Sequence, residues 1–221
     1  MPILPHIGSQ LVDLCSALLL LTCFAIVAQR RLSACVDLFA LQSGFLVVTA
    51  ALVAYLTGNH HIYIAASLTG IIKVVIIPRV LKKVIERLNV KRELVMNVTV
   101  PAGLLVCGAL VMLAFFITQP IIPLGFLLTR DSLAIALAIV LIGLFTMIAR
   151  QKAVTQLVGF LVMENGLFLG ATAATYGMPL IVELGVFFDV LIAALIAGIY
   201  TNRLQDAFDS VDTSHLTELK E

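Results

Sequence analysis

What most constrains this chain is the length of its apolar runs. Seven stretches, at about 9–28, 34–56, 61–81, 96–118, 132–149, 154–175 and 180–200, are each long enough to cross a hydrocarbon layer of ~30 Å. A run of that kind surrounded by lipid must be helical, because nothing there satisfies a bare backbone N–H or C=O. Composition agrees: 61% of the residues are hydrophobic and 12% charged, against about 25% charged in ordinary soluble domains. The expected fold is therefore an all-α integral membrane protein of about seven transmembrane helices. The first run follows Met1-Pro-Ile-Leu-Pro-His6, which lacks a basic n-region, so it reads as a retained span.

The basic residues set the orientation. Arg30 and Arg31 follow the first span, and Arg79, Lys82, Lys83, Arg87, Lys91 and Arg92 lie between the third and fourth. Arg150 and Lys152 follow the fifth, and Arg203 and Lys220 the seventh. These connections all fall on one side, while the other holds only Arg130. By the positive-inside rule the N-terminus is outside and the C-terminus cytoplasmic, which requires an odd number of spans. A membrane crossed several times is the expected location. The net charge of +1, with no basic patch beyond the juxtamembrane clusters, points away from nucleic acid. Residues 78–88 keep helical periodicity past the membrane as a basic, partly amphipathic segment suited to the bilayer surface or a partner.

The two halves resemble one another. Phe24-Ala-Ile-Val-Ala-Gln-Arg30 lies over Phe145-Thr-Met-Ile-Ala-Arg-Gln151, and Gln42-Ser-Gly44 over Glu164-Asn-Gly166. Leu68-Thr-Gly-Ile-Ile-Lys-Val74 lies over Leu184-Gly-Val-Phe-Phe-Asp-Val190. This divides the chain into a first three-helix repeat with its basic extension (1–93), a linking helix and outside loop (94–130), a second repeat (131–203) and a polar cytoplasmic tail (204–221). Three spans per repeat would invert the second copy, but the linking helix restores the orientation, so the two repeats are parallel, with any site expected near the midplane.

The embedded polar residues carry the functional signal. Counting from Gly177 at the tip of the last turn, Glu164 lies thirteen residues before and Asp189 twelve after. At ~1.5 Å per residue both sit roughly 18–20 Å below the turn, near mid-membrane. Gln42 and Lys73 are likewise level about Gly58, at repeat positions matching Glu164 and Asp189. A mid-membrane carboxylate costs roughly 2.5–3.5 kcal/mol even on lenient insertion scales. Two readings follow. Lys73 forms a static ion pair with Asp189 or Glu164 that holds the repeats together, although desolvation offsets much of such a pair's attraction. Alternatively Glu164, Asp189, Lys73 and Asp37 are proton-transfer groups, with Asp37 five residues nearer the cytoplasm than Gln42. Gln42 and Glu183 are candidates for proton access, while Asp13 and Glu183, near outside ends of helices, also fit structural roles. Pro78, five residues after Lys73, is expected to kink that helix and free the Val74 carbonyl.

Other features point to packing. Gly166, Gly170 and Ala174 form a small-residue ridge for close helix contact. Cys15, Cys23, Cys35 and Cys107 are scattered singly and read as small hydrophobes. His60-His61 alone cannot make a tetrahedral metal site. No phosphate loop, nucleophile elbow or ligand cluster is present, so neither a metal nor another cofactor is expected, and the chain is not expected to be catalytic alone.

Leu157-Val-Gly-Phe-Leu-Val-Met-Glu-Asn-Gly166, with the Asp189 helix after it, resembles the K-type subunit of respiratory complex I and the C-type subunit of multisubunit cation/proton antiporters. Gly159 and Asn165 match that pattern, and Asp189 falls where its second glutamate sits. The first glutamate falls on Leu161, and the acid here is Glu164, three residues on and on the same helix face. Over the whole chain the length and span count are similar to the hydrogenase-4 component E family, membrane subunits of formate-hydrogenlyase-type [NiFe]-hydrogenase complexes. The resemblance implies a subunit of an oxidoreductase complex, surrounded by other membrane and peripheral subunits that carry the metal centres, and taking part in proton translocation. A purely structural subunit, an antiporter-like subunit and a stand-alone transporter are the alternatives.

Overall fold

The computed structural model describes residues 3–58, 60–87, 98–120, 130–151 and 153–175. All regular structure among them is helical: α1 (Ile3–Ala28), α2 (Leu32–Thr57), α3 (His60–Gly70), a π-helical segment (Ile71–Ile76), α4 (Ile77–Arg87), α5 (Val100–Thr118), α6 (Arg130–Ala149) and α7 (Ala153–Thr175). The span expected at 180–200, with Glu183, Asp189 and the C-terminal tail, lies outside the described residues. Five helices, α1, α2, α5, α6 and α7, are long and apolar enough to cross a membrane. The protein is an all-α, multi-pass membrane protein.

The span expected at 61–81 is helical from His60 to Arg87, but not as one α-helix. The chain takes the wider π register over Ile71–Ile76, and the Ile77 N–H bonds the carbonyl of Ile72, five residues back. Pro78 gives the reason. It has no N–H, and its ring crowds the preceding turn of an α-helix; one turn of π-helix relieves that crowding where a simple kink was expected. Lys73 falls inside this segment. Beyond it α4 is strongly two-faced: Ile77, Leu81 and Val84 are buried, while Arg79, Lys83 and Glu86 are exposed.

Two helical hairpins form the centre. α1 packs on α2 and α6 on α7, and the hairpins stand side by side through α1 on α6 and α2 on α7. α1 and α6 run in the same direction. Ser16, midway along α1, meets Ser132 near the start of α6 across 3.2 Å, and at their ends Arg150 reaches the Ile26 carbonyl at 3.1 Å. The turn from α2 to α3 needs Gly58, whose φ of 68° caps α2 in the left-handed region. α5 lies outside this group against α6 and α1. Its outward side carries Leu105, Met112 and Phe116, each about three-quarters exposed, as suits a face turned to lipid or another subunit.

α6 and α7 approach closely through glycine. A Cβ on Gly143 would lie 2.6 Å from the Met163 backbone nitrogen, and one on Gly166 2.8 Å from that of Val140. Gly170 has ordinary contact room against Ala136. The small-residue ridge thus acts mainly through Gly166, and Gly143 is its counterpart on α6. Gly143→Ala and Gly166→Ala should each destabilise the protein by roughly 1–3 kcal/mol through overpacking. All four cysteines are buried, so a thiol-reactive dye reads unfolding directly. A lower transition in both variants is expected; an unchanged one would mean the helices do not approach this closely.

A buried polar centre between the hairpins

Gln42, Lys73, Glu164 and Asn165 are drawn to one place. Lys73 Nζ lies 3.4 Å from Glu164 Oε1 and donates to Asn165 Oδ1 at 3.1 Å. Asn165 Nδ2 donates to Gln42 Oε1 at 3.1 Å and to Ser43 Oγ at 3.2 Å. Gln42 Nε2 reaches the Leu19 carbonyl at 3.2 Å and Cys23 Sγ at 2.8 Å. Lys73 is 1% exposed, Glu164 7%, and Gln42, Ser43 and Asn165 are fully enclosed.

The direction of each amide follows from its partners. A main-chain carbonyl can only accept, so Gln42 must turn its nitrogen to Leu19 and its oxygen to Asn165. Asn165 must then present its nitrogen to Gln42, leaving its oxygen for Lys73. The orientation is set by this chain of donors and acceptors from α1 through α2 and α7 to the π segment. An ammonium with three donors is the group such an oxygen and an adjacent carboxylate would hold.

A second buried charge sits where the hairpins turn. Arg150, 2% exposed, directs Nη2 at the carbonyls of Ile26, Val27 and Gln29, at 3.1, 3.1 and 3.0 Å. Ile26 and Val27 lie in the last turn of α1 and Gln29 directly follows it; the Ile26 carbonyl also accepts the Gln29 N–H at 3.3 Å, and a cation there meets the negative end of the helix dipole. Gln156 at the start of α7 donates to the Arg150 carbonyl at 3.0 Å. Burial lowers the guanidinium's pKa from its ordinary value, yet arginine stays protonated across the physiological range. Arg150 had counted only as a basic loop residue, and nothing in the sequence around it marks its burial.

The predicted residues fall into three groups. Gln42, Lys73 and Glu164 are brought together, with Ser43 and Asn165 between them. Asp37 is not with them: it is exposed and forms an ion pair with Lys82 of α4. Asp189 and Glu183 lie outside the described residues. Sequence reasoning assigned no role to Ser43, although the repeat alignment sets it over Asn165, the residue it bonds. Among the described residues no group of three or more His, Cys, Asp or Glu side chains could hold a metal ion.

A multi-pass helical membrane protein with a buried lysine–glutamate centre is the class that fold and site define. The chain is 35% identical to uncharacterized protein Rv0085 of Mycobacterium tuberculosis, over 96% of its own length and 97% of that protein's, and it belongs to that protein's family. It is distantly homologous to hydrogenase-4 component E of Escherichia coli K12, at 24% identity over 96% of the chain and 99% of the relative. The same identity and coverage hold for hydrogenase-4 component E of Shigella flexneri. No family model matches the sequence, and no solved structure matches it.

Removing one partner of a buried pair strands the other. Lys73→Met should destabilise the protein by roughly 3–5 kcal/mol, and Lys73→Met with Glu164→Gln should recover much of that loss. Thermal unfolding in detergent measures both; a double variant no better than the single one would contradict the pairing. Arg150→Ala should cost roughly 1–3 kcal/mol through the abandoned carbonyls. Arg150→Lys should recover only part, because a single ammonium lacks the guanidinium's planar fork. Full recovery by lysine would show that charge alone matters there.

Proposed function

We propose that this chain is a non-catalytic membrane subunit of an energy-converting, hydrogenase-type complex in a prokaryotic cell membrane. In this reading Lys73 and Glu164, together with Asp189, belong to a proton-translocation path coupled to electron transfer in partner subunits. The observation that carries the proposal is the enclosed Lys73–Glu164 pair, which lies where the two hairpins meet; residue counting sets it near mid-membrane. A purely structural pair would gain little there, since desolvation offsets its attraction. A pair that exchanges its proton gives the expense a use, and intramembrane ionisable residues mark such relays. The distant homology to hydrogenase-4 component E supports the same class of complex.

The reading includes seven spans, an outside N-terminus and a cytoplasmic C-terminus. It also includes two parallel repeats, 1–93 and 131–203, joined by 94–130 and followed by a tail from 204. Support comes from the parallel course of α1 and α6 and from the bond between Ser43 and Asn165, aligned positions that meet as related surfaces do about a twofold axis. Asp37, exposed and paired with Lys82, is the proton-uptake group on the cytoplasmic side. The partners are other membrane subunits, against faces such as the outer side of α5, and peripheral subunits that carry the redox centres.

One observation favours a second reading. The hydrogen bonds of Arg150 and Asn165 join the hairpins, as a purely structural subunit would require. The two readings separate in reconstituted complex. Glu164→Gln and Asp189→Asn should each lower proton translocation by at least about a hundredfold while the complex still assembles. Under the structural reading the same variants lose assembly, and exchanging the charges in Lys73→Glu/Glu164→Lys partly restores it. Variants that assemble and translocate like the unaltered protein would sink the proposal.

A further inference from the structure

The Asn165 amide is held in one orientation from behind, on the side away from Lys73. Its Oδ1 accepts from Lys73 Nζ at 3.1 Å, and its Nδ2 donates to Gln42 Oε1 at 3.1 Å and to Ser43 Oγ at 3.2 Å. The two partners of Nδ2 differ in what they dictate. The Ser43 hydroxyl both donates and accepts, so it would serve either end of the amide. Gln42 has no such freedom. Its Nε2 is engaged by the Leu19 carbonyl at 3.2 Å and by Cys23 Sγ at 2.8 Å, so its oxygen is the group turned to Asn165. The Leu19 carbonyl belongs to the main chain of α1 and cannot turn over. Polarity fixed on α1 therefore passes through Gln42 of α2 to Asn165 of α7. Turning the Asn165 amide over would set its oxygen against Gln42 Oε1, two acceptors facing one another in an enclosed site.

The constraint matters most when Lys73 is not charged. An ammonium has only donors and would draw the Asn165 oxygen to itself unaided. Once Lys73 has given a proton to Glu164, its nitrogen carries two N–H groups and a lone pair. An amide free to turn would then donate an N–H to that lone pair, at the place to which the proton must return. With Gln42 behind it, Asn165 offers an oxygen in both states. It takes one N–H and does not compete for the lone pair with the Glu164 carboxyl, whose Oε1 lies 3.4 Å from Nζ.

We infer that Gln42 is a positioning residue for proton exchange between Lys73 and Glu164, acting through Asn165 to keep the transferable N–H, and then the lone pair, of Lys73 turned to the carboxyl. The inference rests on the reading of that pair as part of a proton path. In the forward step one N–H bond of the ammonium breaks and one O–H bond forms on the carboxylate, giving a neutral amine and a neutral acid. The return step reverses both changes. Gln42 and Asn165 hand on no proton; they contribute orientation alone.

The test reads proton translocation by the reconstituted complex in proteoliposomes at matched electron-transfer turnover. Gln42→Met and Ser43→Ala each remove one hydrogen bond from Asn165 Nδ2, but only the first frees the amide to turn. Gln42→Met should lower translocation by at least about tenfold, part of what a positioned proton-transfer group supplies. It should also raise the solvent deuterium isotope effect, because the exchange becomes the slow step. Ser43→Ala should match the unaltered complex in both measurements. Unimpaired translocation in Gln42→Met, with Glu164→Gln impaired, overturns the inference and leaves the central reading standing. A comparable loss in Ser43→Ala, or a loss in Gln42→Met without a larger isotope effect, overturns it as well, since altered packing then explains the result. If Glu164→Gln translocates normally, the central reading falls and this inference with it. Should Gln42→Met fail to assemble, solid-state NMR on the unaltered protein in bilayers decides, with 15N in the asparagine side chains and 13C at glutamine Cδ. A coupling between Asn165 Nδ2 and Gln42 Cδ that is the same with Lys73 as ammonium and as amine upholds the lock; its loss in the amine state overturns it.

Discussion

Everything central to this protein depends on enclosing the Lys73 ammonium and the Glu164 carboxylate in an apolar layer. Neither can be left there alone, because an isolated buried charge costs several kcal/mol even after relaxation. Each needs the other at 3.4 Å, and the ammonium takes an additional oxygen from Asn165. That need fixes which helix faces meet. α7 must turn Glu164 and Asn165 inwards, the π segment must deliver Lys73, and α2 must supply Gln42 and Ser43 behind them.

The surrounding architecture makes that meeting possible. Glycines at 143 and 166 let α6 and α7 approach until backbones nearly touch, which holds the Glu164 helix firmly on its neighbour. The π register ahead of Pro78 sets the side chains of 71–76 at a wider spacing than an α-helix would. At the turns Arg150 ties α6 to the end of α1, while Ser132 at the start of α6 meets Ser16 midway along α1. The two hairpins are thus fastened by polar contacts at three places, and by apolar packing between. In lipid, where burial of apolar surface no longer drives helices together, such polar contacts and close packing carry the association.

Much of this was legible in the sequence, because hydropathy and depth are simple to count. The apolar runs marked the helices, and counting residues from Gly58 and Gly177 set Gln42, Lys73 and Glu164 at one level. What could not be counted was lateral neighbourhood. Asp37 lies on the same helix as Gln42, five residues nearer its start, and is exposed and paired with Lys82, so helix face as well as depth separates the two. The freed carbonyl expected at Pro78 became a π turn, since backbone register adapts over several residues to one missing N–H. Arg150 looked like any loop cation, and only the fold brings the carbonyls at the end of α1 to it. Asn165 was legible as part of a resemblance, but its position between Lys73 and Gln42 depends on how the two hairpins dock.

The central claim is that Lys73 and Glu164 are in contact inside the membrane. Solid-state NMR on protein in lipid bilayers, with 15N-lysine and 13C-glutamate labelling, measures it directly through the dipolar coupling between Lys73 Nζ and the Glu164 carboxyl carbon. The account predicts a coupling that matches the 3.4 Å N···O contact and disappears in Glu164→Gln/Lys73→Met. The absence of any coupling in the unaltered protein would contradict it.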